Sequence, residues 1–193
     1  ARSTGTCERP QTGIRGKLLV GNIPQFVWYN PTRVVFGPGE SSKLGAVVDD
    51  LAGPTARGFL ATGSHSLRAR GLLQGFVDSI GGSRVTLFDR VTPFPSPDLV
   101  DDALAACRAA GAEIVVAVGG GSAMDLAKAV AILTTHEGSS RDFALGKKAF
   151  ERPGLDFVAV PTTSGSSSEV TSGAALWDME AKRSMGLSSP LMF

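Results

Sequence analysis

Residues 112–130, AEIVVAVGGGSAMDLAKAV, decide the fold. Ile114, Val115, Val116, Ala117 and Val118 form an unbroken apolar run, the pattern of a strand covered on both faces of a parallel sheet. Gly119, Gly120 and Gly121 follow at once, then Ser122, a residue type that caps helices. Met124, Leu126, Ala127, Val130 and Ile132 continue at helical spacing. Three residues without Cβ let backbone N–H groups approach a ligand closely, and a helix N-terminus adds partial positive charge there. Strand, glycine turn and helix start together make a place to hold a phosphate. The plainer alternative is a tight βα turn that uses glycine only for its dihedral freedom; three glycines and a capping Ser favour the anion site.

Working outward, the same alternation recurs on both sides. Residues 58–62 (GFLAT) read as a strand, 63–66 as a loop containing Gly63, and 67–80 as one helix closed by Gly81 and Gly82. Residues 85–88 make a third strand, and 91–97 (VTPFPSP) a proline-rich loop in which Ser96 caps a helix with Pro97 at its first position. Residues 135–154 read as a polar surface excursion, 155–160 as a strand, and 174–177 as a further short strand. Upstream, residues 26–36 (FVWYNPTRVVF) suggest a β-hairpin turning at Asn30 and Pro31, and residues 1–25 a flexible arm. Strands alternating with helices predict an α/β fold with a mostly parallel sheet and helices on both faces, one domain over 26–193. Right-handed crossovers then place loops 63–66, 119–122 and 162–168 on one edge, where such folds bind ligands.

Composition bounds the function. The chain has 193 residues, 42% hydrophobic and 19% charged, enough for one good core. A net charge of +1 gives no field to recruit nucleic acid or an anionic membrane, so neither is expected as a partner. Cys7 and Cys107 do not suggest a disulfide framework, which favours a reducing cytoplasm. No apolar run approaches membrane-spanning length.

Residues 162–168 hold six hydroxyls in seven positions around Gly165, directly after a buried strand. Hydroxyls and N–H groups of such a loop can cradle a phosphate or ribose without charge, although a generic polar loop reads the same way. Asp125 falls in the first turn after the glycines, where it either stabilises the helix end or orients the loop. His65 lies in a loop on the ligand edge, His136 reads as surface, and neither has a partner at metal-site spacing. The chain has no G-x-S-x-G elbow, no Walker-type phosphate loop and no G-x-G-x-x-G fingerprint.

The run Gly119-Gly120-Gly121-Ser122-Ala123-Met124-Asp125-Leu126-Ala127-Lys128 closely resembles the G-G-G-S-x-x-D-x-A-K signature of iron-containing (group III) alcohol dehydrogenases. Residues 161–171, PTTSGSSSEVT, are similar to a second segment of that family, and 31–39 (PTRVVFGPG) to its opening hairpin and turn. The resemblance implies a dinucleotide-binding domain of Rossmann-like form for NAD or NADP, followed in the family by a helical domain. It implies that Gly119, Gly120, Gly121 and Ser122 hold the pyrophosphate and that Asp125 supports their turn. Thr162, Thr163, Ser166 and Thr171 would line the nucleotide and nicotinamide side, with Lys182 on the nicotinamide ribose. Gly63 stands where NAD-specific members carry Asp, which leaves NADP open, with Ser64, His65 and Arg68 near a 2′-phosphate. The family's iron or zinc ligands lie downstream of Phe193, so the chain is expected to be the cofactor half, binding nucleotide without turnover. The whole enzyme would be a homodimer acting on a small alcohol and its aldehyde or ketone. Alternatives are a glycerol dehydrogenase or dehydroquinate synthase relative, or a non-catalytic nucleotide-binding module.

Overall fold

In the computed structural model, which describes residues 30–192, the apolar run becomes β3 (Ile114–Gly119). It pairs in parallel with β1 (Gly58–Gly63) on one side and β4 (Asp156–Pro161) on the other, and β1 pairs in parallel with β2 (Val85–Val91). The order is β2-β1-β3-β4. Register is continuous from Gly58↔Ile114 to Thr62↔Val118, and from Ile114↔Asp156 to Gly119↔Pro161. Against β2 it slips by one residue, Ala61↔Phe88 being followed by Gly63↔Val91.

Helices cover both faces, as the buried run on β3 requires. On one face Phe59, Ala61, Val115 and Ala117 pack with α4 (Pro97–Ala109) and α5 (Gly121–Thr134). On the other, Leu60, Ile114, Val116 and Val118 meet α1 (Leu44–Ala52), α2 (Ser66–Ala69) and α3 (Leu73–Ser79). Leu60, Phe59 and Ile114 are fully buried, each contributing about 2 kcal/mol of transfer free energy. Gly45 brings α1 directly onto α3, because a Cβ there would stand 1.9 Å from the Ser79 carbonyl oxygen.

Four features differ from the sequence reading. The helix expected over 67–80 is two, α2 and α3, because Gly71 adopts φ +66 between them. The excursion 135–154 contains a short helix, α6 (Ser140–Ala144), capped by the Ser139 hydroxyl. The strand at 174–177 does not join the sheet; it is β5 (Gly173–Asp178), paired antiparallel with β6 (Arg183–Ser188). Ala174, Leu176, Met185 and Leu187 alternate inward from this hairpin onto the α5 side of the core.

The fourth concerns the opening hairpin. Residues 31–36 are not a strand, and Val34, Val35 and Phe36 are exposed. Asn30 closes a local turn by accepting from the Thr32 N–H (2.9 Å), and its amide donates to the Val170 carbonyl (3.2 Å). That holds the segment beside the hydroxyl loop. The proposed partner strand 26–29 and the arm 1–25 lie outside the described residues.

Two predictions follow from packing and charge. Gly45→Ala should lower stability by about 3 kcal/mol through overpacking against Ser79, whereas Gly75→Ala, with open space around its Cβ in α3, should raise it by about 0.5 kcal/mol. Thermal denaturation of the pair reads the contrast. Asp178, at the end of β5, accepts from the Ala181 N–H (3.0 Å) and from Arg141, and these bonds hold its carboxyl below the usual aspartate range. A carboxyl lowered on folding stabilises the fold fully above its unfolded value and loses that contribution as pH falls through the lowered one. Asp178→Asn should therefore flatten the acid limb of the stability curve below about pH 4; a limb superimposable on the parent's would refute it.

Candidate functional site

The order β2-β1-β3-β4 reverses direction between β1 and β3, and parallel sheets bind ligands outside the carboxyl ends of strands at such a switch. Gly63 ends β1 there and Gly119 ends β3 beside it, the two strands tied by the Thr62 hydroxyl donating to the Val118 carbonyl (2.7 Å). The proline loop after β2 reaches across β1: the Phe94 N–H donates to Ser122 Oγ (3.3 Å). Phe94 holds φ 58 and sets its ring edge-on to Trp177 at 5.1 Å.

α5 starts at Gly121 with Gly120 as its cap residue, so Ser122 lies inside the helix and its hydroxyl serves Phe94 instead of capping. The Gly121 and Ser122 N–H groups belong to the first turn, where a helix has no carbonyl of its own to offer. The hydroxyl loop lies directly against this turn. A Cβ on Gly120 would stand 2.9 Å from Thr163 Oγ1, and one on Gly121 would stand 2.9 Å from Ser166 Cβ and Oγ. Glycine at 120 and 121 therefore does more than allow a turn: it leaves room for the second loop.

Both stems of the hydroxyl loop are fixed. At one end the Thr162 N–H donates to the Gly119 carbonyl (2.8 Å). At the other, Ser168 Oγ donates to Asp125 Oδ1 (2.5 Å), and the chain makes a single 3₁₀ turn over Ser168–Val170. Between the stems Thr162, Thr163, Ser164 and Ser166 are exposed, and Gly165 takes φ +132. Lys128, one turn beyond Asp125 on α5, was not singled out from sequence. It is buried, and its ammonium donates to the carbonyls of Ser168 (2.7 Å), Thr171 (3.1 Å) and Gly173 and to Thr171 Oγ1 (3.0 Å). Burial pushes that ammonium below the usual lysine range, with the Asp125 and Glu169 carboxylates pulling it back up. Its place in the motif, three residues after Asp125, was the available signal.

The expected residues fall into three groups. Gly119, Gly120, Gly121, Ser122, Asp125, Thr162, Thr163, Ser166 and Thr171 are brought together, although the Thr171 hydroxyl faces Lys128. Gly63 is one strand away at the same edge. Lys182 stands in the exposed turn between β5 and β6 at φ 49, and among the described residues no hydrogen bond or ion pair joins it to either loop. Arg68 is exposed and pairs with Asp89, to which its Nε donates at 2.9 Å. His136 is buried, not surface: its Nδ1 lies 2.9 Å from the Ile132 carbonyl, and its Nε2 accepts from the Glu151 N–H. Among the described residues no three His, Cys, Asp or Glu side chains converge as metal donors.

The model of the family described as iron-containing alcohol dehydrogenase matches residues 31–193. The chain belongs to this family. A probable NADH-dependent butanol dehydrogenase of Bacillus subtilis is 30% identical over 89% of the chain and 44% of its own length, and a 1,3-propanediol dehydrogenase of Klebsiella pneumoniae is 36% identical over 81% and 41%. Among solved structures, an NADH-dependent butanol dehydrogenase A of Thermotoga maritima superposes with a TM-score of 0.79 at 31% identity, covering 88% of this chain and 42% of that one. A sulfoacetaldehyde reductase of Bifidobacterium kashiwanohense, solved with NAD+, gives 0.80 at 28% identity over 88% and 44%. The chain spans less than half the length of these relatives and corresponds to the N-terminal part of the iron-containing alcohol dehydrogenases.

The contact of the two loops has a measurable consequence. Gly120→Ala should cost about 2 kcal/mol, and adding Thr163→Ala should recover more than half of that, since the Cβ of Thr163 alone is 3.9 Å away. Additive losses in chemical denaturation would mean that the loops do not touch.

Proposed function

We propose that this chain is the dinucleotide-binding part of an NAD(P)-dependent alcohol dehydrogenase of the iron-containing family. The observation that carries the reading is the hydroxyl loop lying against Gly120 and Gly121 at the switch point of the sheet. The residues fit a diphosphate. Backbone N–H groups at the start of α5 point out of the helix with its positive end behind them. No carboxylate stands in the glycine turn, and Asp125 is occupied with Ser168. Gly119, Gly120, Gly121 and Ser122 would hold the pyrophosphate, while Thr162, Thr163 and Ser166 would offer hydroxyls to phosphate and ribose. Thr171 and Asp125 act one step back, fixing the loop.

The Pro93-Phe94-Pro95 segment, drawn onto Ser122, would wall the crevice between β1 and β3. Gly63 leaves the far ribose without a carboxylate, so NAD and NADP are both compatible with this edge, and Lys182, in the exposed turn between β5 and β6, would serve the nicotinamide ribose. The nicotinamide, when bound, supplies the hydride acceptor or donor. This chain's own residues bind and orient it. The whole enzyme would interconvert a small alcohol and its aldehyde or ketone as a homodimer, with iron or zinc held by residues outside this chain; no step through a metal is assigned to residues 30–192, whose acidic and imidazole groups do not cluster.

Gly121→Asp tests the reading. Its side chain would enter the space of Ser166 and set a negative charge beside the phosphates. Calorimetry with NADH and NADPH should show affinity falling about a hundredfold or more, equivalent to about 2.7 kcal/mol. Unchanged affinity in a folded variant would remove the glycine turn from the site.

A further inference from the structure

Lys128 is a charged group in the core with no surface to serve: its side chain is 2% exposed. Burying an ammonium carries a desolvation cost that is offset only by close, well-placed acceptors. Four acceptors meet it, and three of them are main-chain carbonyls, those of Ser168, Thr171 and Gly173. Three carbonyl oxygens aimed at one point repel each other, and the ammonium is the donor they share. The ammonium sits at the centre of the inward-facing segment 168–173, which Asn30, through the Val170 carbonyl, and the Ser189 N–H, through the Ser172 carbonyl, also hold.

We propose that Lys128 is a positioning residue for the dinucleotide cradle, an internal cation that gathers the backbone of residues 168–173 and so fixes the hydroxyl loop over Gly120 and Gly121. The inference rests on the reading of that cradle given above. The geometry is that of a ruler. Lys128 is seven residues after Gly121 on one helix, about 10 Å along its axis. Asp125 and Lys128, three residues apart, grip the same residue from its two ends: Asp125 takes the Ser168 hydroxyl, Lys128 its carbonyl. With the other stem held by Gly119, the exposed part of the loop is suspended between two anchors on the β3–α5 unit that also supplies the glycine turn. The ammonium never reaches the ligand; it sets the height of the loop that does. A methyl group can fill the site but cannot gather carbonyls, and a guanidinium is too broad for it.

The test compares NADH affinity of the chain with that of Lys128→Met and Lys128→Ala. The Met variant should bind NADH about tenfold or more weakly while circular dichroism shows it folded, because a displaced loop misplaces its hydroxyls. In the Ala variant, added propylammonium should restore much of the affinity, whereas 1-propanol, of the same length but without an ammonium, should not. A loss of packing alone would be relieved by both. Reductive methylation of the unmodified chain needs no variant: Lys128 should react at least about tenfold more slowly than exposed Lys147 and Lys182, and more slowly still with NADH present. Lys128→Met binding NADH within twofold of the parent, or Lys128 methylated as fast as Lys147, overturns the proposal. A parent chain that binds no NADH overturns the dinucleotide reading instead.

Discussion

The distance of closest approach between two backbone turns governs this molecule. The chain leaves β3 without side chains for three residues, and the turn after β4 comes to rest in the volume that side chains on Gly120 and Gly121 would have filled. Everything else at this edge is arranged to keep that approach. The Thr162 N–H meets the Gly119 carbonyl on the near side, Asp125 and Lys128 hold Ser168 on the far side, and Asn30 reaches in to take the Val170 carbonyl. The hydroxyl loop is exposed, yet both of its stems are hydrogen-bonded to the β3–α5 unit, which is how a surface site acquires a fixed shape.

The proline loop is a third participant. It starts at β2, crosses the end of β1, and is held at the start of α5 by one backbone bond and at the hairpin by another, from Trp177 N–H to the Pro95 carbonyl. The switch point between β1 and β3 is thereby framed on both sides by segments whose positions are set by α5. One helix carries the glycine turn, the anchors of the hydroxyl loop and the contact with the proline loop.

Much of this was legible in the residues. The strand at 114–118 and the glycine turn have no other reading, since five apolar residues followed by three glycines fit neither a helix nor a surface loop. The hydroxyl run after β4 pointed to the same edge, and the structure puts the two in contact. What was not legible depended on distant partners. His136 sits in a polar stretch, and nothing local announces that Phe143 and Phe150 close around it. Leu67, Leu73, Phe76 and Ile80 keep helical spacing across Gly71, so the break at φ +66 hides inside an amphipathic pattern. β6 alternates Ser184, Met185, Gly186, Leu187 and Ser188, but small residues carry little strand preference, and its pairing with β5 supplies what propensity does not. Ser122 obeyed the capping rule in type and broke it in place, because the helix begins two residues earlier than that cap would set it, with Gly120 in the cap position. Lys128 closes the motif run, but the four oxygens around it come from residues 40 or more positions away, which no local pattern announces.

His136 has a structural meaning of its own. Its ring gives one nitrogen to the Ile132 carbonyl near the end of α5 and the other to the backbone at Glu151, with Phe143 and Phe150 edge-on at 5.6 and 5.5 Å. The imidazole is thus a rivet joining the end of α5 to the segment that leads into β4, and the exposed stretch 145–149 lies between its two attachments. Length can be gained or lost in that stretch while β4 still enters the sheet in register. An evolving lineage can therefore remodel this corner of the surface freely, far from the edge where the cofactor is proposed to sit.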